Sequence, residues 1–313
     1  MQHLFFVLSP VLCLCGASLI AAPPDKAGDK KPTIEPTKLD GVNSPADEDD
    51  PFVVTDVPKD IYDGPQLYYV SNGTGKGKEK KFHIMVSRRK PTGAWTKGQL
   101  LDAVNGEGEE RSPFLLREKA SCELFFASTR LGSNFDFFKA MHKGKDNFFA
   151  PVPINNDEIC TEADEIHPCV TAKGTQLYFS RKTEEGWRMF MSLRPGGNGA
   201  FEKPHKLDLP PGYYHATVSQ DGKTMYLQGP AGKDRWGLYK STRDKDKKDP
   251  WDEGAWSKPD PLDRLNSLDG KKGDCSPCLV KQGNLHFLYF ASDRPGGQGG
   301  LDLYVVNARL LGD

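Results

Sequence analysis

The chain has 313 residues, of which 42 are Lys or Arg and 43 are Asp or Glu, so its formal net charge is -1. This balance does not indicate the basic surface that nucleic-acid binding requires, and we expect no nucleic-acid partner. The 32 glycines and 24 prolines favour many short strands joined by turns over a helical fold.

The N-terminus carries the longest apolar run of the sequence. Residues 4–22 are almost entirely apolar, small residues stand at Ala21 and Ala22, and a polar stretch follows. This pattern predicts a secretory signal peptide over 1–22 and a linker over 23–32, with an uncleaved anchor as the alternative. We therefore expect a periplasmic or extracellular protein that has no membrane span after the signal is removed.

Beyond the predicted signal peptide the chain contains five cysteines: Cys122, Cys160, Cys169, Cys275 and Cys278. An exported chain can oxidise such residues, but the odd number leaves at least one unpaired and the pairing stays open. Cys275 and Cys278 have the spacing of half a metal or redox site, and the sequence supplies no second half. We predict neither a metal nor a cofactor.

A short apolar strand recurs five times: "LYYVS" from Leu67, "LFFAS" from Leu124, "LYFSR" from Leu177, "MYLQG" from Met225 and "LYFAS" from Leu288. Aromatic and branched residues in runs this short predict strands. Another short strand precedes each copy, a third follows across a polar turn, and an aromatic–Pro–Leu segment supplies a fourth. Four strands in roughly fifty residues are typical of a propeller blade. The sequence therefore predicts an all-β, five-bladed propeller with four-stranded antiparallel blades, forming one domain over 33–313.

The two ends of this domain complement each other. Thr33–Asp40 has the Pro36–Leu39 spacing of a fourth strand, with no first three strands before it. The last unit begins at Ser276 and stops after its third strand. We predict that the N-terminal segment pairs beside Leu301–Asn307 and closes the ring, which removes two exposed sheet edges.

The segment "LYFASDRPGGQGGLDLYV", residues 288–305, resembles the WD40-like repeat of exported bacterial propeller proteins of the TolB type. The segments "LFFASTRLGSNFDFFKA" and "VSQDGKTMYL" are similar to the same repeat. The resemblance implies a propeller in the periplasm or outside the cell, commonly used as a platform that binds a partner.

Two features of the repeat have structural interpretations. The turn after the second strand carries an arginine and an aspartate, which we expect to form an ion pair that fixes the turn: Arg130 with Asp136, and Arg294 with Asp302. The aromatic residues of the fourth segment are expected to pack between blades: Trp95, Phe148, Phe201 and Trp256.

Candidate site residues come from the first strand of each blade, because that strand lines the channel of a propeller. The five units align on Pro51, Pro113, Pro168, Ala216 and Pro277. Three positions earlier stand Glu48, Glu110, Glu165, Tyr213 and Asp274. Immediately before stand Asp50, Ser112, His167, His215 and Ser276. Carboxylates crowded on one rim raise one another's pKa, as acid–base chemistry requires.

From this alignment we predict ligand contacts by Arg111, Glu165, His167, Tyr213 and His215. If the protein is a hydrolase, the predicted catalytic carboxylates are Glu48, Glu110, Glu165 and Asp274. A metal triad of His167 and His215 with Glu165 is a weaker alternative.

The sequence contains no Ser-His-Asp order, phosphate-binding loop or HExxH motif. The leading hypothesis is therefore an exported, non-catalytic propeller that binds a protein or glycan ligand at its central funnel. One alternative is a glycoside hydrolase, because a pair of carboxylates on the channel strands is what glycosidase chemistry uses. Another is a structural envelope protein.

Overall fold

Short aromatic and branched segments form antiparallel strands throughout the propeller region, as the sequence predicts. The computed structural model describes residues 32–55, 64–74, 80–117, 122–144, 147–154, 156–171, 174–197 and 199–312. The predicted signal peptide and all but the last residue of the predicted linker lie outside the described residues. Thr33–Asp313 clusters as one compact unit.

The strands are numbered in chain order, beginning with β1 (Thr37–Lys38) at the N-terminus. The first blade contains β2 (Glu48–Val54), β3 (Gln66–Ser71), β4 (His83–Arg88) and β5 (Gln99–Leu100). The second contains β6 (Glu110–Arg117), β7 (Cys122–Ser128), β8 (Asp136–Gly144), β9 (Asn147–Phe148) and β10 (Val152–Pro153). The third contains β11 (Glu165–Val170), β12 (Gln176–Thr183), β13 (Gly186–Leu193) and β14 (His205–Lys206). The fourth contains β15 (Tyr214–Val218), β16 (Thr224–Pro230), β17 (Trp236–Thr242) and β18 (Asp260–Pro261). The fifth contains β19 (Asp274–Gln282), β20 (Leu285–Ser292) and β21 (Asp302–Asn307).

Each blade is an antiparallel sheet whose strands lie side by side in chain order, from the first strand outwards. In the second blade β10 takes the outer position and β9 forms a small extension on β8. Within the described residues the helical elements are the 3-10 turns Pro195–Gly197 and Ala308–Leu311, and neither has the length or apolar character of a membrane-spanning helix. The prediction of an all-β, five-bladed propeller is confirmed.

The ring closes as predicted, with strands from both ends of the chain. β1 pairs antiparallel with β21, with Thr37 opposite Val305 and Lys38 opposite Tyr304. The fifth blade therefore has the order β1-β21-β20-β19 and is completed by the N-terminal strand.

A repeated asparagine explains why the N-terminal segment reads like the middle of a repeat. The Asn43 side chain accepts a hydrogen bond from the Leu303 N–H at 2.7 Å and donates to the Leu303 carbonyl at 3.1 Å. Asn266 binds both backbone groups of Leu238 in the fourth blade in the same way. Asn105 binds Ile84 in the first blade. The N-terminal copy thus performs the same task as the interior copies.

The core consists of aromatic and aliphatic side chains packed between neighbouring blades. The aromatic residues predicted to pack there are buried, with exposures between 3% and 8%: Trp95, Phe148, Phe201 and Trp256. The Trp256 ring meets that of Tyr178, from the preceding blade, edge-on at 6.4 Å. Because these side chains fill the space between blades, the narrow central channel is lined by the first strands.

The first strand of every blade has a β-bulge at the same point. The pairing register shifts between Asp49 and Phe52, Arg111 and Phe114, Ile166 and Cys169, Tyr214 and Thr217, and Cys275 and Cys278. The second residue inside each bulge is the aligned proline, or Ala216 in the fourth blade. Proline suits a bulge because it has no N–H to donate to the sheet. The bulge breaks the alternation of the strand and so decides which residues reach the channel.

Candidate functional site

Four buried carboxylates, which we call the clasp carboxylates, stand before the bulge: Glu48, Glu110, Glu165 and Asp274, each at most 1% exposed. Each accepts a backbone N–H from the loop that leads into its blade, from Ser44, Gly106, Thr161 and Ser267 respectively. The clasp carboxylates therefore hold the crossover from one blade to the next. The sequence-based hypothesis made them catalytic groups on the channel, whereas the structure buries their carboxyl groups against these crossover loops.

Three clasp carboxylates form an ion pair with an arginine of their own blade: Glu110 with Arg130 at 2.9 Å, Glu165 with Arg181 at 2.6 Å, and Asp274 with Arg294 at 2.7 Å. The expected pairs of Arg130 with Asp136 and Arg294 with Asp302 are not the ones that form. Asp302 fixes its turn by accepting the N–H groups of Gln298 and Gly299. The arginines are drawn to the buried carboxylates because a buried charge requires a partner.

Glu48 differs from the other clasp carboxylates because its contacts are hydroxyl and backbone groups. The Ser44 and Ser71 hydroxyls donate to it at 2.6 and 3.0 Å. Burial raises the pKa of Glu48 to about 7, although these hydrogen bonds act in the opposite direction. In the fourth blade the equivalent position is Tyr213, whose ring packs edge-on against Tyr239 at 5.0 Å.

Five residues inside the bulges, which we call the channel pentad, face the axis of the ring: Asp50, Ser112, His167, His215 and Ser276. All five have a left-handed backbone, with φ between 51° and 58°. This conformation costs about 1–2 kcal/mol for a residue other than glycine. Its recurrence in all five blades brings one polar side chain from each blade to the channel.

Asp50 is the centre of the channel pentad. Its Oδ2 accepts the Ser112 N–H at 2.8 Å and the Ser112 hydroxyl at 3.2 Å. The Ser276 hydroxyl, which donates to Asp49 Oδ1, lies 3.2 Å from Asp50 Oδ1. Asp50 Oδ1 also faces the His167 Nε2 at 3.4 Å and the His215 Nε2 at 3.7 Å. The weaker metal-triad alternative required the two histidines to meet on the channel, and their rings stack with centroids 3.1 Å apart. The carboxylate beside them is Asp50, whereas the metal triad considered from the sequence contained Glu165.

Burial and charge set the protonation of this cluster. Burial opposes ionisation of Asp50, but the donors and positive charge facing it, chiefly from His167, hold its pKa well below the ordinary value. Burial lowers the pKa of His167, and burial together with the neighbouring ring lowers that of His215. The neighbouring Asp49 differs from Asp50, because burial and the charge of Asp50 raise its pKa to about 6.

One mouth of the channel widens into a cavity of about 290 Å³, which we call the front cavity. Asp49, Arg111 and Asp164 bring charge to its wall. Arg111 pairs with Asp49 at 3.2 Å and with Glu109 at 2.8 Å, and its guanidinium lies 3.6 Å from the centre of the Phe82 ring. The front cavity therefore combines carboxylates with a fixed cation.

Aromatic rings form another part of the front-cavity wall, together with His167 and His215. Trp187 stacks on Tyr214 with centroids 5.2 Å apart and an angle of 10° between the rings. Trp236 meets Tyr214 edge-on at 5.4 Å.

The front cavity contains three of the five predicted ligand contacts, namely Arg111, His167 and His215. Glu165 and Tyr213 lie before the bulge and are not among its lining residues. The cavity lining also includes residues that were not predicted from the sequence: Asp49, Asp164, Trp187, Tyr214 and Trp236. Asp49 and Tyr214 would have been found by shifting the alignment one residue towards the proline. The sequence gives no comparable signal for Asp164, Trp187 or Trp236, which come from a loop and from third strands.

The five cysteines of the described chain are free thiols: Cys122, Cys160, Cys169, Cys275 and Cys278. Cys275 and Cys278 lie on either side of the bulge in β19, so Cys275 lines the front cavity and Cys278 lines the narrow channel behind it. Burial raises the pKa of both thiols.

No known family model matches the sequence, and no curated protein matches it. Solved structures share its fold. An α-L-arabinofuranosidase from Podospora anserina, in complex with cellotriose, has 12% identity and a TM-score of 0.57, covering 88% of this chain and 96% of that one. A family-43 β-xylosidase/α-arabinofuranosidase from a compost microbial metagenome, in complex with xylotriose, has 12% identity and a TM-score of 0.59, covering 87% and 95%. A family-43 enzyme from Xanthomonas citri, complexed with xylose, has 12% identity and a TM-score of 0.61, covering 88% and 90%.

These comparisons correct two sequence-based predictions. The neighbouring structures are five-bladed glycoside hydrolases of families 43 and 62, so the assignment to the TolB type is wrong. The leading hypothesis of a non-catalytic binding propeller is contradicted by the same structures, which favour the alternative raised from the sequence, a glycoside hydrolase. At 12% identity the likeness establishes the fold, and the activity has to be argued from the cavity.

Proposed function

We propose that this protein is a glycoside hydrolase that removes one terminal sugar residue, of the pentose class, from a longer glycan. The observation that carries the proposal is the front cavity, where two carboxylates from different blades share a wall with aromatic rings. Asp49 comes from the first strand of the first blade, and Asp164 from the loop before the first strand of the third.

Hydrolysis of a glycosidic bond uses two carboxyl groups that flank the bond, one to protonate the leaving oxygen and one to act as base or nucleophile. Asp49 is held by the Asp50 N–H, the Ser276 hydroxyl and the Arg111 guanidinium. Asp164 is held by the Phe135 N–H at 3.0 Å. Fixed carboxyl groups of this kind contribute to the rate by orienting the substrate and the proton-transfer groups.

The dimensions of the front cavity support a small sugar. Its volume of about 290 Å³ is near the lower end of ligand pockets, which span roughly 300–1,000 Å³. Trp187, Tyr214 and Trp236 pack together in its wall, and an aromatic wall suits the C–H surface of a sugar. The structures with this fold include an arabinofuranosidase and a xylosidase, which supports a pentose as the first substrate class to test.

We also propose that the protein acts outside the cytoplasm, where polysaccharides are accessible. This proposal rests on the N-terminal sequence, with its apolar run over 4–22 and the small residues Ala21 and Ala22.

The test is sugar release by the purified chain from arabinofuranosides, xylosides, xylan, arabinoxylan and arabinan, with product analysis by chromatography. We expect release of a pentose monosaccharide. Asp49→Asn and Asp164→Asn should each lower kcat/KM by roughly 10²–10⁴-fold, the range for removal of an acid or base group. Asp260→Asn is the matched control, because Asp260 is exposed on the outer strand β18.

A chain that binds these glycans but releases no sugar would contradict the proposal. Full activity in Asp49→Asn would exclude Asp49 from the chemistry. Because Asp49 contacts the channel pentad, its variant is checked for an unchanged melting temperature, and Asp164→Asn provides a second variant away from the channel pentad.

A further inference from the structure

We propose that the end of the channel opposite the front cavity binds an amphipathic monocarboxylate, an alkyl chain with one carboxylate head such as a medium-chain fatty acid. The residues that follow the bulges in the first strands enclose a cavity of about 470 Å³ there, which we call the rear cavity. Its volume lies within the range of ligand pockets, roughly 300–1,000 Å³. The proposal does not depend on any hydrolytic activity of the front cavity.

The wall of the rear cavity is largely apolar, and every blade contributes to it. The apolar residues that line it include Phe52, Val54, Phe114, Val170, Val218 and Leu279. Four of them, Phe52, Val54, Phe114 and Leu279, are only half-buried. The rings of Phe52 and Phe114 lie with centroids 4.6 Å apart. An alkyl chain that enters the cavity covers this apolar surface and removes it from water, which favours binding.

The charged residues of the rear cavity are cations. Arg117, the last residue of β6, and Lys281, near the end of β19, line it and are exposed, and its described lining contains no Asp or Glu. Neither cationic side chain forms an ion pair with a carboxylate in the part of the chain that the structure describes. In the front cavity, by contrast, Arg111 is already paired with Asp49. The rear cavity is therefore complementary in charge to an anion.

The two cations lie on one arc of the ring, which gives the ligand its orientation. Arg117 belongs to the second blade and Lys281 to the fifth, and β2 of the first blade packs against both β6 and β19. The Thr55 hydroxyl, just after β2, donates to the Lys281 carbonyl at 3.0 Å and ties these two strand ends together. A guanidinium binds a carboxylate well because its N–H groups form a planar fork. The head group is therefore placed on this arc, with the alkyl chain towards Val170 and Val218.

The rear cavity is separated from the front cavity by the channel pentad. The narrow channel between them has a volume of about 40 Å³ and is lined by residues that include Asp50, His167 and His215. This space holds no more than a few water molecules. A sugar in the front cavity and an alkyl chain in the rear cavity therefore occupy distinct sites, and a ligand of one is not expected to displace a ligand of the other.

The experiment is calorimetric titration of the purified chain with sodium hexanoate, octanoate and decanoate, each kept below the concentration at which it forms micelles. We expect one equivalent to bind and the affinity to rise about fourfold for each added methylene group, the effect of burying it. Decyltrimethylammonium has the same chain length and the opposite charge, and we expect no saturable binding of it.

Variants of the two cations place the ligand. Arg117→Ala and Lys281→Ala should each weaken decanoate binding roughly 3–10-fold, and the double variant at least about 20-fold, because the charge-assisted contacts to the head group are lost. Lys223→Ala is the matched control. Lys223 lies on the turn after β15 at the same end of the ring, but it pairs with Asp221 at 3.7 Å and does not line the rear cavity. It should bind decanoate as the native chain does.

Three results would overturn the proposal. The first is the absence of saturable binding for all three fatty acids. The second is equal binding of decanoate and decyltrimethylammonium, which would show that the cations do not select the ligand. The third is native affinity in the double variant, which would place the carboxylate elsewhere. Asp49→Asn, in the front cavity, should leave decanoate binding unchanged, and a loss there would move the ligand to the front cavity and overturn the proposal as well.

Discussion

The clasp carboxylates and the channel pentad lie two residues apart on the same strands, yet the first are buried against the crossover loops and the second meet in the channel. Glu110 is buried between Arg130 of its own blade and His83 of the preceding blade, whereas Ser112 adopts a left-handed backbone and contacts Asp50 on the channel. The bulge between them makes the difference, because it turns the chain after the clasp carboxylate. A polar residue of a first strand therefore has a structural role when it lies before the bulge, and it reaches the channel when it lies inside the bulge.

The largest effect is expected where a clasp carboxylate is removed. Glu110→Ala should lower the free energy of unfolding by about 3 kcal/mol, because it leaves the cation of Arg130 and the buried Nδ1 of His83 without their partner. The value lies at the low end of the range for broken buried pairs, since 19% of the Arg130 side chain is exposed. Urea unfolding followed by tryptophan fluorescence measures it.

The control for this change is the adjacent Glu109→Ala. Glu109 and Arg111 are partly exposed, 28% and 25%, and Arg111 keeps Asp49 as a partner, so the loss of Glu109 should cost at most about 1 kcal/mol. If both variants lost the same free energy of unfolding, a clasp carboxylate such as Glu110 would be no more important for stability than a partly exposed carboxylate such as Glu109.

Most of the fold could be predicted from the sequence because the repeat is long-range and regular. The spacing of Pro36 and Leu39 matched that of the interior copies closely enough to predict that β1 closes the ring. The last unit has three strands and the N-terminal segment supplies one, so the two ends together make one complete blade. The aromatic residues of the fourth segments were likewise placed in the core, since nothing polar competes for those positions.

The candidate site could be predicted only in part, because the bulge changes the period of the strand. Reading the first strand by simple alternation puts Glu165 and Tyr213 on the channel, while the bulge presents Ile166 and Tyr214 to the front cavity. The metal-triad alternative paired the two histidines because both precede the aligned residue. Their carboxylate partner comes from the first blade, far away in sequence, and only the closed ring reveals it.

An intermediate loss in the free energy of unfolding is expected for a change at Asn43, in the loop that the clasp carboxylate Glu48 holds. Asn43→Ala should cost about 1–3 kcal/mol, because the buried Leu303 N–H loses its acceptor while the Leu303 carbonyl keeps the Leu39 N–H. Thermal and urea unfolding measure the change.

Asn266→Ala in the fourth blade is the matched variant, because Asn266 binds Leu238 with the same pair of hydrogen bonds. The two variants should agree to within about 0.5 kcal/mol, as expected for equivalent interactions at distant sites. A much smaller cost at Asn43 would show that the N-terminal strand opens separately from the ring, and that the clasped loops are not equivalent.

The smallest effect is expected in the channel pentad, at Ser112→Gly. Glycine relieves a left-handed residue of about 1–2 kcal/mol of strain. The variant also loses the hydroxyl bond to Asp50, which lowers stability by about 0.5–1.5 kcal/mol. The greater freedom of glycine in the unfolded chain lowers stability by about 0.5–1 kcal/mol more. The backbone N–H bond to Asp50 at 2.8 Å is kept. These effects nearly cancel, so the free energy of unfolding should change by less than about 1 kcal/mol.

Ser112→Ala separates the two contributions, because it keeps the strained backbone and loses only the hydroxyl. It should be less stable than the native chain by about 1 kcal/mol. Glycine more stable than alanine at this position would establish that the left-handed backbone is a cost carried by the fold. The reverse order would mean that the bulge imposes no strain, and the contrast with Glu110, two residues earlier, would then rest on charge alone.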